Sequence, residues 1–183
     1  MLERTSILQD IVIAGIPIPS SDPWFLATVG IHVAAGLVAV VAGAVAMLSR
    51  KRAGRHPKSG SIYVWALLVV TSTMAALTVA RWPANNHLAV LGVLSLGTAV
   101  LGRRARRQAQ RDWQRVHVPC MGLSYVLMLT AFYVDNGPHL PLWNRLPSWS
   151  FWFLPAVIGI PLIGLSLRRY WQGLPTAAHG SAS

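Results

Sequence analysis

The longest uncharged stretch of this chain constrains its fold more than any other feature. Residues 24–48 carry no acidic or basic charge and are almost entirely apolar or small. At about 1.5 Å of rise per residue, a helix of this length exceeds the roughly 30 Å hydrocarbon core of a bilayer. The stretch therefore predicts a membrane-spanning helix.

Four further apolar segments predict a protein with five transmembrane helices. Only 11% of the residues are charged, whereas soluble domains carry about 25%. Pro83 is suited to a first helical turn, and Pro155 and Pro161 predict a kink or local break in the last helix. The predicted fold is all-α, with a four-helix core inside a transmembrane domain over residues 23–170. The later segments run over about residues 61–80, 83–102, 113–134 and 149–167.

The basic residues fall in alternate connections, and this pattern predicts the orientation. Most of the 16 Lys and Arg residues lie in loops 49–60 and 103–115 or after residue 167. The positive-inside rule places these regions in the cytoplasm and the N-terminus outside. A net charge of +11 therefore predicts attraction to anionic lipid at the cytoplasmic face. Nucleic-acid binding is not expected, because it requires a basic face on a soluble fold.

The two ends of the chain are expected to lie outside the bundle. Gly15, Pro17 and Pro19 interrupt the apolar part of residues 1–22, which predicts an irregular segment lying at the membrane surface. Residues 171–183 are mostly small and polar, and this composition predicts a disordered cytoplasmic tail.

Four histidines stand one per segment, on alternating sides of the predicted membrane: His32, His56, His87 and His117. Ionisable side chains are costly in a bilayer, so a histidine at membrane depth indicates a functional site. His32 lies about 12 Å below the outer end of its helix. His56 and His117 lie near the cytoplasmic interface, where a protonated imidazole costs less, so a purely structural role is more natural for that pair.

The alternation predicts two sites that could each hold a b-type haem. Two neutral imidazoles from non-adjacent helices, at one depth, are the axial ligands that such a haem requires. His32 would pair with His87 near the outer face, and His56 with His117 near the inner face. Ser95 and Ser124 are candidate acceptors for the second ring nitrogens. Cations available to haem propionates are Arg81 outside and Arg55, Lys58, Arg111 and Arg115 inside.

Two alternatives remain open from the residues alone. His32, His87, Asp135 and His139 could form a zinc-like divalent metal site at the outer end, since histidine and carboxylate suit such metals. Alternatively, the protein has no cofactor and acts as an accessory or assembly subunit, with histidines that hydrogen-bond across helices. A partner membrane subunit or a homo-oligomer is compatible with each reading.

Several motifs in order resemble those of a known family. The family is the predicted bacterial membrane proteins grouped as domain-of-unknown-function family 2306, and the resemblance covers about residues 26–145. It implies a multi-pass protein of the bacterial inner membrane and no particular activity. The motifs are His32-x-x-x-Gly36, His56-x-x-x-Gly60-x-x-Tyr63, Trp113-x-x-x-His117, Ser124-Tyr125 and Leu140-Pro141.

The histidine pattern is also similar, more distantly, to the ascorbate-reducible transmembrane cytochromes b and their ferric-reductase relatives. That resemblance implies haem ligation by the first histidine with the third and by the second with the fourth. The short spacing between His32 and His56 differs from that family, and it places His56 at the mouth of a helix.

The charge pattern predicts a cytoplasmic C-terminus. A reporter that is active only in the cytoplasm, fused after residue 183, should be active, because Arg168 and Arg169 follow the last apolar segment. The same reporter inserted in loop 135–148 should be silent. An external signal from the C-terminal fusion would contradict the five-span topology.

Overall fold

A computed structural model describes residues 11–13, 16–18, 22–49, 54–108 and 112–172 of the chain. Within these ranges there are five helices that are long and apolar enough to cross a membrane, which confirms the predicted fold class. Arg111, the loop residues 50–53 and the predicted tail from residue 173, with His179, lie outside the described residues. The helices are α1 (Pro23–Leu48), α2 (Arg55–Ala80), α3 (Asn86–Gln108), α4 (Gln114–Asn136) and α5 (Ser150–Gln172).

A short antiparallel hairpin precedes α1. Strand β1 (Ile11–Ile13) pairs with β2 (Ile16–Ile18), with Ile11 opposite Ile18. The expectation of an irregular segment is wrong for these six positions. β-Branched residues favour extended backbone, and a proline is tolerated in a strand at the edge of a sheet. The position of residues 1–22 at a membrane surface stays a prediction.

Two helix starts differ from those predicted. α2 begins at Arg55 rather than near residue 61, directly after Gly54, whose φ of 115° is readily adopted only by glycine. His56 therefore belongs to the first turn of α2. Pro83 is not in a helix: residues 81–85 form turns in which Ala84 N–H donates to the Arg81 carbonyl, and α3 starts only at Asn86.

The core of the protein lies between α1, α2, α3 and α4. Its central buried cluster takes side chains from all four helices, which is the predicted four-helix core. Large apolar side chains on the outer surface are exposed instead, such as Leu37 at 65% and Val79 at 80%. A bilayer covers such side chains at no cost in water exposure. The cluster consists of Ala39, Ala42, Tyr63, Ala66, Leu67, Ala99 and Met128.

Helix α5 packs against α4 outside the four-helix core. It runs without interruption from Ser150 to Gln172 although Pro155 and Pro161 lie inside it, so there is no local break, and the alternative of a kink stays a prediction. Glycines allow the close approach: a Cβ added at Gly122 of α4 would lie 2.5 Å from Cγ1 of Ile163. The helix extends two residues into the predicted tail, which was expected to begin at residue 171.

Small residues of α1 face the core and bring α4 close. Ala39, Gly43 and Ala46 are buried, and a Cβ added at Gly43 would lie 2.5 Å from Cε2 of Tyr125. Small residues are the usual means of close helix approach in membranes. Gly36, seven residues before Gly43 in the same helix, has open space around it.

Replacing Gly43 should destabilise the bundle. We expect Gly43→Ala to lower stability by about 1–3 kcal/mol, because the added methyl overlaps a ring that is held by packing. Thermal unfolding of the detergent-purified protein measures the effect. Gly36→Ala is the matched control and should be neutral or slightly stabilising, since alanine is the better helix former. Equal losses in both variants would contradict the contact between Gly43 and Tyr125.

Candidate functional site

The structure brings two of the four predicted ligands together at one end of the bundle. His56 is the second residue of α2, and His117 lies in the first turn of α4. Their ring centres are 6.3 Å apart and the ring planes are inclined at 80°. Both rings are half-buried. We call this arrangement the histidine pair, and it lies at the end where α2 and α4 begin and α1 and α3 finish.

Each ring of the histidine pair is tethered to a backbone carbonyl of a different helix. Nδ1 of His56 lies 2.7 Å from the carbonyl oxygen of Ala46 in α1. Nδ1 of His117 lies 2.9 Å from that of Gly102 in α3. A carbonyl can only accept, so both Nδ1 atoms donate, and in the neutral ring Nε2 then carries the lone pair. Metal-binding histidines characteristically donate their second nitrogen in this way.

The tether acceptors follow from where the helices end and approach. α1 ends at Leu48, so the Ala46 carbonyl is one of the last four that an α-helix leaves without an intrahelical partner. At Gly102, α3 and α4 are so close that an added Cβ would lie 3.0 Å from Cβ of Cys120 and 3.3 Å from the His117 carbonyl oxygen. Both acceptors are backbone carbonyl groups, which every residue has, so the sequence alone did not indicate them.

The cations predicted to accompany the histidine pair lie at the same end. Arg55 and Lys58 are exposed on the first turn of α2. Arg115 is also exposed and lies 3.7 Å from the carboxylate of Asp112. The ring of Trp113 is 5.3 Å from that of His117, and the Arg106 guanidinium lies 5.9 Å from the Trp113 ring centre. The histidine pair therefore lies in a strongly positive and partly aromatic environment.

The other two predicted ligands have separate neighbours at the opposite end. Nδ1 of His32 lies 2.9 Å from the hydroxyl of Thr73 in α2. That hydroxyl donates its single proton to the Val69 or Val70 carbonyl, at 2.8 and 3.0 Å, so His32 is the donor to Thr73. His87 is exposed, and its ring centre lies 5.9 Å from that of Trp152 in α5.

His32 and His87 also differ in depth. Thr73 precedes the end of α2 by seven residues, so Thr73 and the His32 ring bonded to it lie about 10 Å inside that end. His87 is the second residue of α3, at the rim of the bundle. Two axial ligands must reach one metal from the same depth, and the structure does not give this pair that arrangement.

The residues of the predicted zinc-like site are not assembled. Asp135 and His139 are exposed, and His139 lies in a 3₁₀ turn, Gly137–His139, after α4. Arg81, the predicted outer propionate partner, is exposed at the end of α2. Among the residues that the structure describes, no group of three His, Cys, Asp or Glu side chains is placed to hold a metal ion. The zinc alternative stays a prediction without geometric support.

Ser95 and Ser124 do not accept from the histidines, contrary to prediction. They form a buried hydroxyl cluster with Tyr63 in the middle of the bundle. The Tyr63 hydroxyl lies 2.7 Å from Oγ of Ser124, and Oγ of Ser95 donates to the Ser124 carbonyl oxygen at 2.8 Å. The sequence indicated no role for Tyr63 beyond its place in the motif His56-x-x-x-Gly60-x-x-Tyr63. One signal was available: Tyr63 and Ser124 each follow a histidine of the pair by seven residues.

The comparisons with known proteins identify one family. Residues 29–163 match the profile of a family described as "Predicted membrane protein (DUF2306)". The match begins in α1, ends in α5 and includes His139 and the four histidines predicted as haem ligands. No curated protein and no solved structure matches the chain. The predicted resemblance to this family is confirmed, whereas these comparisons give no support to a relationship with the cytochromes.

Proposed function

We propose that this chain, which belongs to the DUF2306 family of predicted membrane proteins, holds one b-type haem between His56 and His117 and serves in membrane electron transfer. The family description gives a membrane protein and no activity, so the proposal rests on the geometry of the histidine pair. The five apolar helices make the chain a multi-pass membrane protein in a bilayer environment.

The spacing of the two rings is the observation that carries the proposal. A metal–imidazole bond is about 2.0–2.1 Å long, and the ring centre lies roughly 1 Å behind the nitrogen. Two imidazoles on opposite sides of one metal ion therefore have ring centres about 6 Å apart. The rings of His56 and His117 are 6.3 Å apart, so this separation fits bis-imidazole ligation.

The tethers support the same assignment. Hydrogen bonds from Nδ1 to the carbonyls of Ala46 and Gly102 select the tautomer in which Nε2 is the basic nitrogen. They also limit rotation of each ring, because each is held to a helix other than its own. The chain would thus present two oriented imidazoles from diagonally placed helices, as haem sites in helical bundles require.

The surrounding charges favour an anionic cofactor. The exposed cations Arg55 and Lys58 flank His56 within two residues, and Arg115 precedes His117 by two. Guanidinium and ammonium groups form strong charge-assisted bonds with carboxylates such as haem propionates. Bound haem supplies one-electron redox chemistry, and the protein supplies its ligation and electrostatic environment.

We place the histidine pair at the cytoplasmic face of a bacterial inner membrane. The described cations of the loops around it are the residues that the positive-inside rule assigns to the cytoplasm. The same cations would attract anionic lipid headgroups. Electron transfer also requires a donor and an acceptor, so the protein would act with a partner membrane subunit, a soluble carrier or a second copy of itself.

The chain would hold one haem and not two. His32 and His87 lie at different depths and have separate neighbours, Thr73 and Trp152. The hydrogen bond from His32 to Thr73 satisfies a polar side chain at membrane depth. This structural role is enough to explain why a threonine lies opposite this histidine.

Absorbance of the protein purified from haem-supplied cells tests the proposal. We expect a Soret band and sharp α-bands on reduction. His56→Ala and His117→Ala should each reduce the bound haem at least about tenfold, since loss of even an outer-shell partner of a metal ligand commonly costs this much.

His87→Ala and His139→Ala are the matched controls, because both histidines are exposed and lie at the opposite end of the bundle. Both should keep the pigment of the parent protein. Equal pigment in all four variants would refute ligation by the histidine pair. A colourless protein with stoichiometric zinc would favour the divalent-metal alternative, and a protein with neither would favour a cofactor-free accessory subunit.

A further inference from the structure

The buried hydroxyl cluster joins the two helices that carry the histidine pair. Tyr63 of α2 and Ser124 of α4 are 2% and 0% exposed, and their oxygens are 2.7 Å apart. Tyr63 follows His56 by seven residues, and Ser124 follows His117 by seven. Seven residues are close to two helical turns, or about 10 Å. The contact therefore lies two turns inside the histidine pair, on the same line of each helix.

The hydrogens of this cluster have one arrangement that satisfies every hydroxyl. Ser95 uses its single proton on the Ser124 carbonyl, at 2.8 Å. Oγ of Ser95 is then the acceptor available to Ser124, at 3.4 Å, and Oγ of Ser124 accepts from Tyr63. Buried hydroxyl groups are rarely left without a partner. The hydrogen bonds therefore run from the Tyr63 hydroxyl to Ser124, from Ser124 to Ser95, and from Ser95 to the Ser124 carbonyl in α4. Together they join three helices.

We propose that Tyr63, acting through Ser124, is a positioning residue that sets the register of α2 against α4 and so holds His56 and His117 at one depth. The inference rests on the proposed function in so far as the histidine pair is a metal site. α2 and α4 run in the same direction, and the two seven-residue offsets are equal. Because the contact between Tyr63 and Ser124 holds these two residues at one depth in the bundle, the two imidazoles also lie at one depth.

The first turns of both helices need such a constraint. Pro57 lies in the first turn of α2, where a proline costs no helical bond, but Pro119 lies inside α4 two residues after His117. Proline has no N–H, so Pro119 cannot donate the helical bond to the carbonyl of Arg115. Helix ends are also the places where helices fray. A slip of α2 against α4 by one turn would separate the imidazoles in depth by about 5.4 Å, which no single metal could bridge.

Tyr125 provides a closely matched control. Its ring centre lies 6.0 Å from that of Tyr63, so the two phenols occupy the same layer of the bundle. Its hydroxyl donates to the Val40 carbonyl of α1, at 3.0 Å. Loss of that hydroxyl removes one partly buried hydrogen bond of a tyrosine to another helix, but it removes none between α2 and α4.

The test measures the distance between the starts of α2 and α4 in the full-length, cofactor-free protein. Nitroxide labels are placed at Arg55→Cys and Val116→Cys, both exposed and each next to a histidine of the pair, in a Cys120→Ala background. Electron paramagnetic resonance then gives the distance distribution for the parent, Tyr63→Phe and Tyr125→Phe. We expect a narrow distribution for the parent and Tyr125→Phe, and a broadened one for Tyr63→Phe, displaced by up to one turn or about 5 Å.

Ser124→Ala keeps the proposal testable if Tyr63→Phe does not fold, and it should reproduce the broadening. In the haem-loaded protein, Tyr63→Phe should in addition shift the low-spin resonance spectrum, while Tyr125→Phe leaves it unchanged. Indistinguishable distance distributions in Tyr63→Phe and Tyr125→Phe would overturn the positioning role. A colourless parent protein whose distribution still broadens in Tyr63→Phe would refute the haem proposal alone and support the register role.

Discussion

Hydrogen bonding of polar groups inside an apolar solvent is the constraint on which this structure depends. A lipid-embedded bundle has no water to satisfy its hydroxyl and imidazole groups, so each must find a partner on the protein. Thr78 and Thr130 bond to carbonyls of their own helices, but other partners are on different helices: His32 bonds to Thr73, Tyr125 to the Val40 carbonyl and Tyr63 to Ser124. These bonds specify which helices are neighbours, a task for which apolar packing in lipid supplies little driving force.

The hydrogen bonds between helices lie in two layers, and each layer joins a different set of helices. In the layer of the histidine pair, α2 is bonded to α1 and α4 to α3, through the carbonyls of Ala46 and Gly102. Two turns further in, the hydroxyl cluster bonds α2 and α3 to α4. Together the two layers connect all four core helices. A pair of imidazoles held at a defined spacing is therefore a consequence of the same bonds that assemble the bundle.

The two ends of the bundle differ in what they could hold. At the end where α2 and α4 begin, two tethered rings face an excess of cations, and this combination suits an anionic metal cofactor. At the other end, His32 is deep and satisfied by Thr73, while His87 lies at the rim near Trp152. The proposed single site at one face would exchange electrons with partners there and would not conduct them across the whole membrane.

The apolar segments by themselves determined the number of helices and the membrane environment, because segment length and absence of charge decide whether a helix can span. The sequence also named His56 and His117 as one of two candidate ligand pairs, but it favoured a structural role for them. The start of α2 at Arg55 and the bonds to the Ala46 and Gly102 carbonyls emerged only from the tertiary structure. Every residue has a backbone carbonyl, so sequence carries no mark of which one accepts a hydrogen bond; that depends on where two helices approach and end.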